Sequence, residues 1–196
     1  MKTPLPLMFT FNELAAAQQA ALLMRALGPQ QEGIEGVDYP KLVRLLYLAD
    51  RQKLIDTGTP MTDSVLYNTQ LGPIPMDVYD CIKGAPYNHA VWGKYFKRDG
   101  WDLVLTGEDP GDGYLCEYDK ETLVSLATKH RDPEDLLTSV FELPEWDEPE
   151  DGVAEWLPYE SVLRATGSSE EDILAFQKRN EALLVMDRTT KRQTRY

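Results

Sequence analysis

The chain has few of the groups from which metal centres and covalent scaffolds are built. Its 196 residues include two cysteines, Cys81 and Cys116, and two histidines, His89 and His130. Two cysteines are too few for a disulfide framework, and neither has a Cys or His neighbour at metal-ligand spacing, so free buried thiols are expected. Long apolar runs are also missing. No stretch approaches the roughly 20 residues of a membrane-crossing helix, and Met1–Leu7 lacks a signal peptide's charged-then-apolar layout, which points to a cytoplasmic protein. The glycine patterns that cradle phosphates or dinucleotides do not occur, nor does a nucleophile elbow. In Gly72-Pro73-Ile74-Pro75 the two prolines remove backbone donors that an anion site would use, so the segment reads as a rigid turn. No metal, cofactor or catalytic residue is expected.

Positive charge is scarce and unevenly placed. The formal net charge is −13: residues 107–172 carry 20 acids against 4 bases, residues 1–106 carry 11 against 10, and residues 173–196 carry 2 against 6. An acidic body repels a phosphate backbone, so nucleic acid is an unfavourable partner and a basic protein a suitable one. The plainer reading of the same charge is a solvated face that keeps the protein soluble.

With 42% hydrophobic and 27% charged residues, the chain has the make-up of one well-buried globular domain. Its organising stretch is 38–84. Asp38 is a good N-cap, Pro40 suits a first helical turn and Gly58 suits a left-handed C-terminal residue, which predicts a helix over 39–57. Leu42, Leu45, Leu46, Ala49 and Leu54 form a helical stripe, and Val43, Tyr47 and Leu48 extend it around the circumference. Such a helix must be covered on more than one side. A strand over 64–71 follows, then the Gly-Pro turn, then a two-turn helix from Pro75 to Gly84 with Val78, Tyr79 and Ile82 inward.

Around this unit, Asn12 caps a helix over 13–27 that Gly28-Pro29 stops, and 30–37 is a polar connector. Segments 91–97 and 101–106 flank Arg98-Asp99-Gly100 as a hairpin, expected to join 64–71 in a small antiparallel sheet. Residues 107–113 are a turn cluster. Helices are predicted over 119–129 and 133–141, followed by an acidic linker, 142–155, pinned by Trp146 and Trp156. Pro158 opens a short helix to Thr166, and Ser168-x-x-Glu171 forms a capping box for the last one. The fold class is α+β, mainly helical, with a central buried helix and a small antiparallel sheet or hairpin. Residues 1–10 read as an extended lead-in, 11–186 as the domain, and 187–196 as a basic, disordered tail.

The motifs Lys41-Leu42-x-x-Leu45-Leu46-Tyr47-Leu48-Ala49-Asp50-Arg51, Thr57-Gly58-x-Pro60, Gly72-Pro73-Ile74-Pro75 and Val78-Tyr79-Asp80-x-x-Lys83-Gly84 resemble the Panacea, or SocA-like, antitoxin domain. Several separate motifs agree in order and spacing. The resemblance implies an antitoxin of a bacterial or phage type II toxin–antitoxin system, which neutralises a cognate toxin, expected from the adjacent gene, by direct binding. It also implies that the family serves chemically unrelated toxins, so the domain does not identify its target.

On that reading the partner-binding candidates are Asp50 and Arg51 on the central helix and, with the 85–100 loop and hairpin, the aromatics Tyr87, Trp92, Tyr95, Phe96 and Trp101, expected to be exposed. Asp50 alternatively pairs with Lys53 at i, i+3. Two other functions compete. A hydrolase would use Cys81, yet carboxylates beside a thiol raise its pKa. A transcriptional regulator would use 119–129 and 133–141 as a helix-turn-helix, yet Asp132, Glu134 and Asp135 place acid where a recognition helix needs base.

Overall fold

Asp38 accepts the Lys41 N–H at 2.9 Å and Gly58 takes a left-handed conformation, so the central helix α2 runs Tyr39–Thr57, with the ends its sequence predicts. The structure, a computed structural model, describes residues 6–28, 36–84 and 90–193, with side chains as far as Leu184. Helix α2 feeds two apolar clusters. Leu42, Leu45, Leu46 and Ala49 enter the larger one, with α1 (Glu13–Leu27), the short α3 (Met76–Lys83) and Leu123 and Ala127 of a later helix. Tyr47 and Leu54 enter the smaller one, with Leu66, Leu157, Val162, Leu163 and Ile173. Burying each leucine contributes about 1.5–3 kcal/mol, so a helix that serves both clusters dominates the core.

Among the described residues two small sheets, not one, flank this spine. In the first, β1 (Gly36–Asp38) pairs with β5 (Asp102–Leu105), which pairs with β4 (Phe96–Asp99), all antiparallel. In the second, β2 (Leu66–Thr69) lies between β3 (Gly72–Pro75) and β6 (Glu155–Trp156). The expectation that the hairpin would join 64–71 fails because each finds a different third strand. Those third strands are two and three residues long and carry no alternating pattern, which is why sequence periodicity overlooks them.

Gly72–Pro75 is likewise a strand and not merely a turn. Val65 O accepts from Met76 N at 2.8 Å, and with Tyr67 opposite Ile74 this sets the ladder alternation so that Pro73 and Pro75 point their donorless nitrogens away from β2. An edge strand tolerates proline on that side. Gly72 has φ +99°, and a Cβ there would lie 2.5 Å from Val140 Cγ1.

The segment expected as a strand over 91–97 opens with a helical turn, α4 (Trp92–Tyr95), and only Phe96 onward extends. Helix α5 (Glu117–Lys129) packs along α1, whose Ala16, Ala17 and Ala20 allow close approach. Helix α6 (Pro133–Phe141), capped by Asp132, crosses α2 and β3. The acidic segment that follows is not pinned by Trp156, which is 55% exposed; Trp146 packs edge-on against Phe141 at 4.7 Å, and Glu145 and Pro149 are buried. Helix α7 (Tyr159–Ala165) closes on α2, and α8 (Glu170–Gln193) on α7. Ser169, one residue later than expected, caps α8 through Asp172 N at 3.1 Å. The backbone of α8 stays helical to Gln193, past the point where apolar periodicity ends, because extending a formed helix is far easier than nucleating one. Among the described residues the chain is α+β and mainly helical.

A candidate protein-interaction surface

The start of α2, the end of α3 and the turn between β4 and β5 meet at one face. Their meeting point is Tyr39. Its backbone N–H donates to Trp101 O at 2.9 Å, which binds the hairpin turn to the first residue of the central helix. Trp101 then lies on the Tyr39 ring, with centroids 5.3 Å apart and planes 11° from parallel, while remaining 63% exposed. Tyr79 meets the Tyr39 ring edge-on at 6.2 Å. Lys83, one helical turn after Tyr79, donates to Tyr39 Oη at 3.1 Å, and its ammonium sits 5.1, 5.4 and 6.0 Å from the Tyr39, Tyr79 and Trp101 ring centroids. The Tyr39 hydrogen bond raises the Lys83 pKa, so the group is charged across the physiological range.

These side chains form one wall of a groove of about 310 Å³ that Leu71, Ile74 and Met76 floor and Gly152 and Ala154 close. Val153, between the last two, is 66% exposed. An exposed Trp, held rigid by stacking and set beside a fixed cation, offers contact area with little side-chain entropy left to lose. A groove with these properties suits another polypeptide.

The other candidates divide. Trp92 and Phe96 were expected to be exposed, and they are not: they are 3% and 4% exposed and pack against each other at 4.3 Å in the main core. Phe96 opens β4 on the side that faces the core, and Trp92 reaches the same core from the helical turn α4. Trp92 N is further anchored by Glu13 Oε1 at 2.6 Å. Tyr95 is half-buried against the same core. Tyr87 and His89 lie outside the described residues.

On α2, the expected surface role of Asp50 is overturned. Its carboxylate is fully buried and accepts from Met61 N at 2.7 Å, Thr62 N at 2.6 Å and Thr62 Oγ1 at 2.7 Å, fixing the loop after the helix. Burial pushes its pKa up to about 7, against the pull of those three donors. Lys53 turns instead to Asp119 on α5, at 2.7 Å. Arg51, half-buried, is tied down by the buried Glu145, which also accepts from Tyr47 Oη at 2.8 Å.

Cys81 is buried, and desolvation, followed by the charges of Glu13, Asp77 and Asp80, drives its thiol up to about 12. A thiol so protonated is not a nucleophile at neutral pH. Cys116, expected to be buried, is exposed at the N-terminus of α5. His130 is buried, with its pKa lowered by desolvation. Among the described residues no three His, Cys, Asp or Glu side chains gather as a metal site, and no helix is long and apolar enough to cross a membrane. As for a recognition helix, α6 opens on Asp132, Glu134 and Asp135 and spends Leu136 and Val140 on the core.

The groove residues from Thr69 to Trp101 fall within the span of one family, and Tyr39, Gly152 and Ala154 lie outside it. The family model described as "Antitoxin SocA-like, Panacea domain" matches residues 42–147, more than half of the chain. The chain belongs to the SocA-like Panacea antitoxin family. Membership gives a toxin as its class of partner. No curated protein and no solved structure matches the chain.

Proposed function

We propose that this protein is the antitoxin of a type II toxin–antitoxin pair, acting in the cytoplasm and neutralising the toxin encoded by the adjacent gene through direct binding. Membership of the SocA-like Panacea family carries the reading. The groove beside Trp101 supports it as the docking face, because the neighbouring apolar surface is preorganised and the tryptophan remains accessible. Seating a toxin there covers that toxin's active site or its substrate path. The chain contributes no chemistry of its own; it works as a binding protein. We take 11–186 as the unit that does this, since α1 and α8 complete clusters begun by the matched segment. The acidic residues of 107–155 speed encounter with a basic toxin.

Co-expression tests the reading. The neighbouring gene expressed alone should arrest growth, and this chain should restore growth and co-purify with the product as a stable complex. Arrest that persists, with no complex on gel filtration, would falsify the assignment.

A further inference from the structure

A second concavity, of about 430 Å³, lies between the start of α2 and α6. Its charged lining is Asp38, Lys41, Arg44 and Arg131, and Leu136 and Leu137 form its apolar wall. Among the lining residues three cations stand against one carboxylate, with the Asp132 charge also reaching Lys41, whereas the chain as a whole carries −13. The carboxylate already has work: Asp38 Oδ1 caps α2 through Lys41 N at 2.9 Å.

Arg44 is fixed in place. Its Nε donates to Leu71 O at 2.6 Å, and its guanidinium lies 5.9 Å from the Phe141 ring centroid, so hydrogen bond and ring together set the plane of the fork. Lys41 Nζ donates to Arg131 O at 2.8 Å, which holds the Arg131 backbone at the pocket rim. No carboxylate among the described residues comes within ion-pair distance of Arg44 or Arg131. Partial burial, incompletely offset by Asp38, holds the Arg44 pKa below its ordinary value, so an incoming negative charge would relieve an existing electrostatic deficit.

We propose that this pocket binds an oxyanion carried on an apolar body. Arg44 and Arg131 supply charge-assisted donors, and Leu136 and Leu137 receive the body. A guanidinium fork matches the paired oxygens of a carboxylate or phosphate in a way a lone ammonium does not. Two sources present this chemistry: a small phosphorylated or carboxylated molecule, and an acidic side chain of a bound protein. Leu71 lines the aromatic groove and also orients Arg44, which places the pocket beside the proposed docking face. The inference stands without the antitoxin reading.

The test titrates the full chain with phenyl phosphate, inorganic phosphate and sodium chloride at matched ionic strength, following the arginine side-chain N–H signals by NMR and the Tm. Phenyl phosphate should perturb the Arg44 Nε–H signal saturably and raise the Tm. Inorganic phosphate should act more weakly, and chloride should not act. Arg131→Glu, at an exposed position, should weaken phenyl phosphate at least about tenfold; Arg44→Lys, which keeps the charge and loses the fork, should weaken it comparably. If phenyl phosphate does not bind but a partner complex loses affinity on Arg131→Glu, the oxyanion is a side chain of that partner. The inference is overturned if chloride reproduces the shifts, or if Arg131→Glu changes neither phenyl phosphate binding nor partner affinity.

Discussion

Arg51 and Glu145, 94 positions apart, meet at 2.5 Å between Nε and Oε1, on a carboxylate whose side chain has no solvent exposure. The same oxygen accepts from Tyr47 Oη, and the backbone carbonyl of Glu145 accepts from Asn68 Nδ2 at 3.3 Å. One acidic residue after α6 therefore fastens α2, β2 and the segment leading to β6. The family match, 42–147, begins in α2 and ends just beyond this fastening. Arg51→Ala leaves a buried charge uncompensated and should cost about 3–5 kcal/mol in urea denaturation. Adding Glu145→Gln to it should cost less than the sum of the two single changes, since the orphaned charge is gone; strict additivity would mean the pair is not coupled.

Two tryptophans, Trp92 in α4 and Trp101 in the β4–β5 turn, should respond in opposite ways. Trp101→Ala, at 63% exposure, should weaken toxin binding by about 2 kcal/mol or more with a small change in Tm. Trp92→Ala, at 3% exposure, should lower stability by about 3–5 kcal/mol. Calorimetry of the complex and thermal denaturation of the free chain read the two effects separately. Equal affinity for Trp101→Ala and the parent would remove the groove from the interface.

Asp50 makes stability depend on pH. Its folded pKa of about 7 lies above the unfolded 3.8, so between those values the folded state binds the extra proton. Stability from this group is complete below about pH 4 and declines as pH rises towards 7, with a slope of up to about 1.4 kcal/mol per pH unit. Asp63, raised to about 6 by burial and by Asp119, contributes with the same sign. Asp50→Asn preserves an acceptor for the Met61 and Thr62 N–H groups and should flatten the Asp50 share of the slope. Asp50→Ala strands three donors and should cost about 3 kcal/mol at pH 5. Parallel pH profiles for Asp50→Asn and the parent would contradict the assigned titration.

Gly72→Ala should destabilise by more than the about 1–2 kcal/mol of a left-handed residue alone, because the new Cβ meets Val140 Cγ1 at 2.5 Å. Pairing it with Val140→Ala should recover the steric part. If the double variant is no more stable than the single one, the contact between β3 and α6 is not what limits the position.

The helices were legible where short-range chemistry decides them. Asp38, Pro40 and Gly58 bracket α2, Asn12 caps α1 through Leu14 N and Ala15 N at 3.1 Å, and Asp132 with Pro133 opens α6. The apolar girth of 42–54 also shows that α2 must be wrapped, and both clusters use it. Such features need only neighbours within a turn or two along the chain, and the polypeptide states them directly.

Only the tertiary structure decided which aromatics face water, which charges are spent internally and which strands pair. Trp92, Phe96 and Trp101 are all aromatics of one stretch, but the two-residue turn beside Tyr39 leaves the Trp101 ring out, while α4 and the start of β4 place the other two in the core. Asp50 and Arg51 are adjacent, yet one is consumed by Thr62 and the other by Glu145, partners whose approach depends on the path of the whole chain. The Lys41, Arg44 and Arg131 pocket was invisible for the same reason: its charges lie up to 90 positions apart and become one site only after α6 docks on α2. Burial and pairing are properties of distances in space, and the order of residues constrains those only through the completed packing.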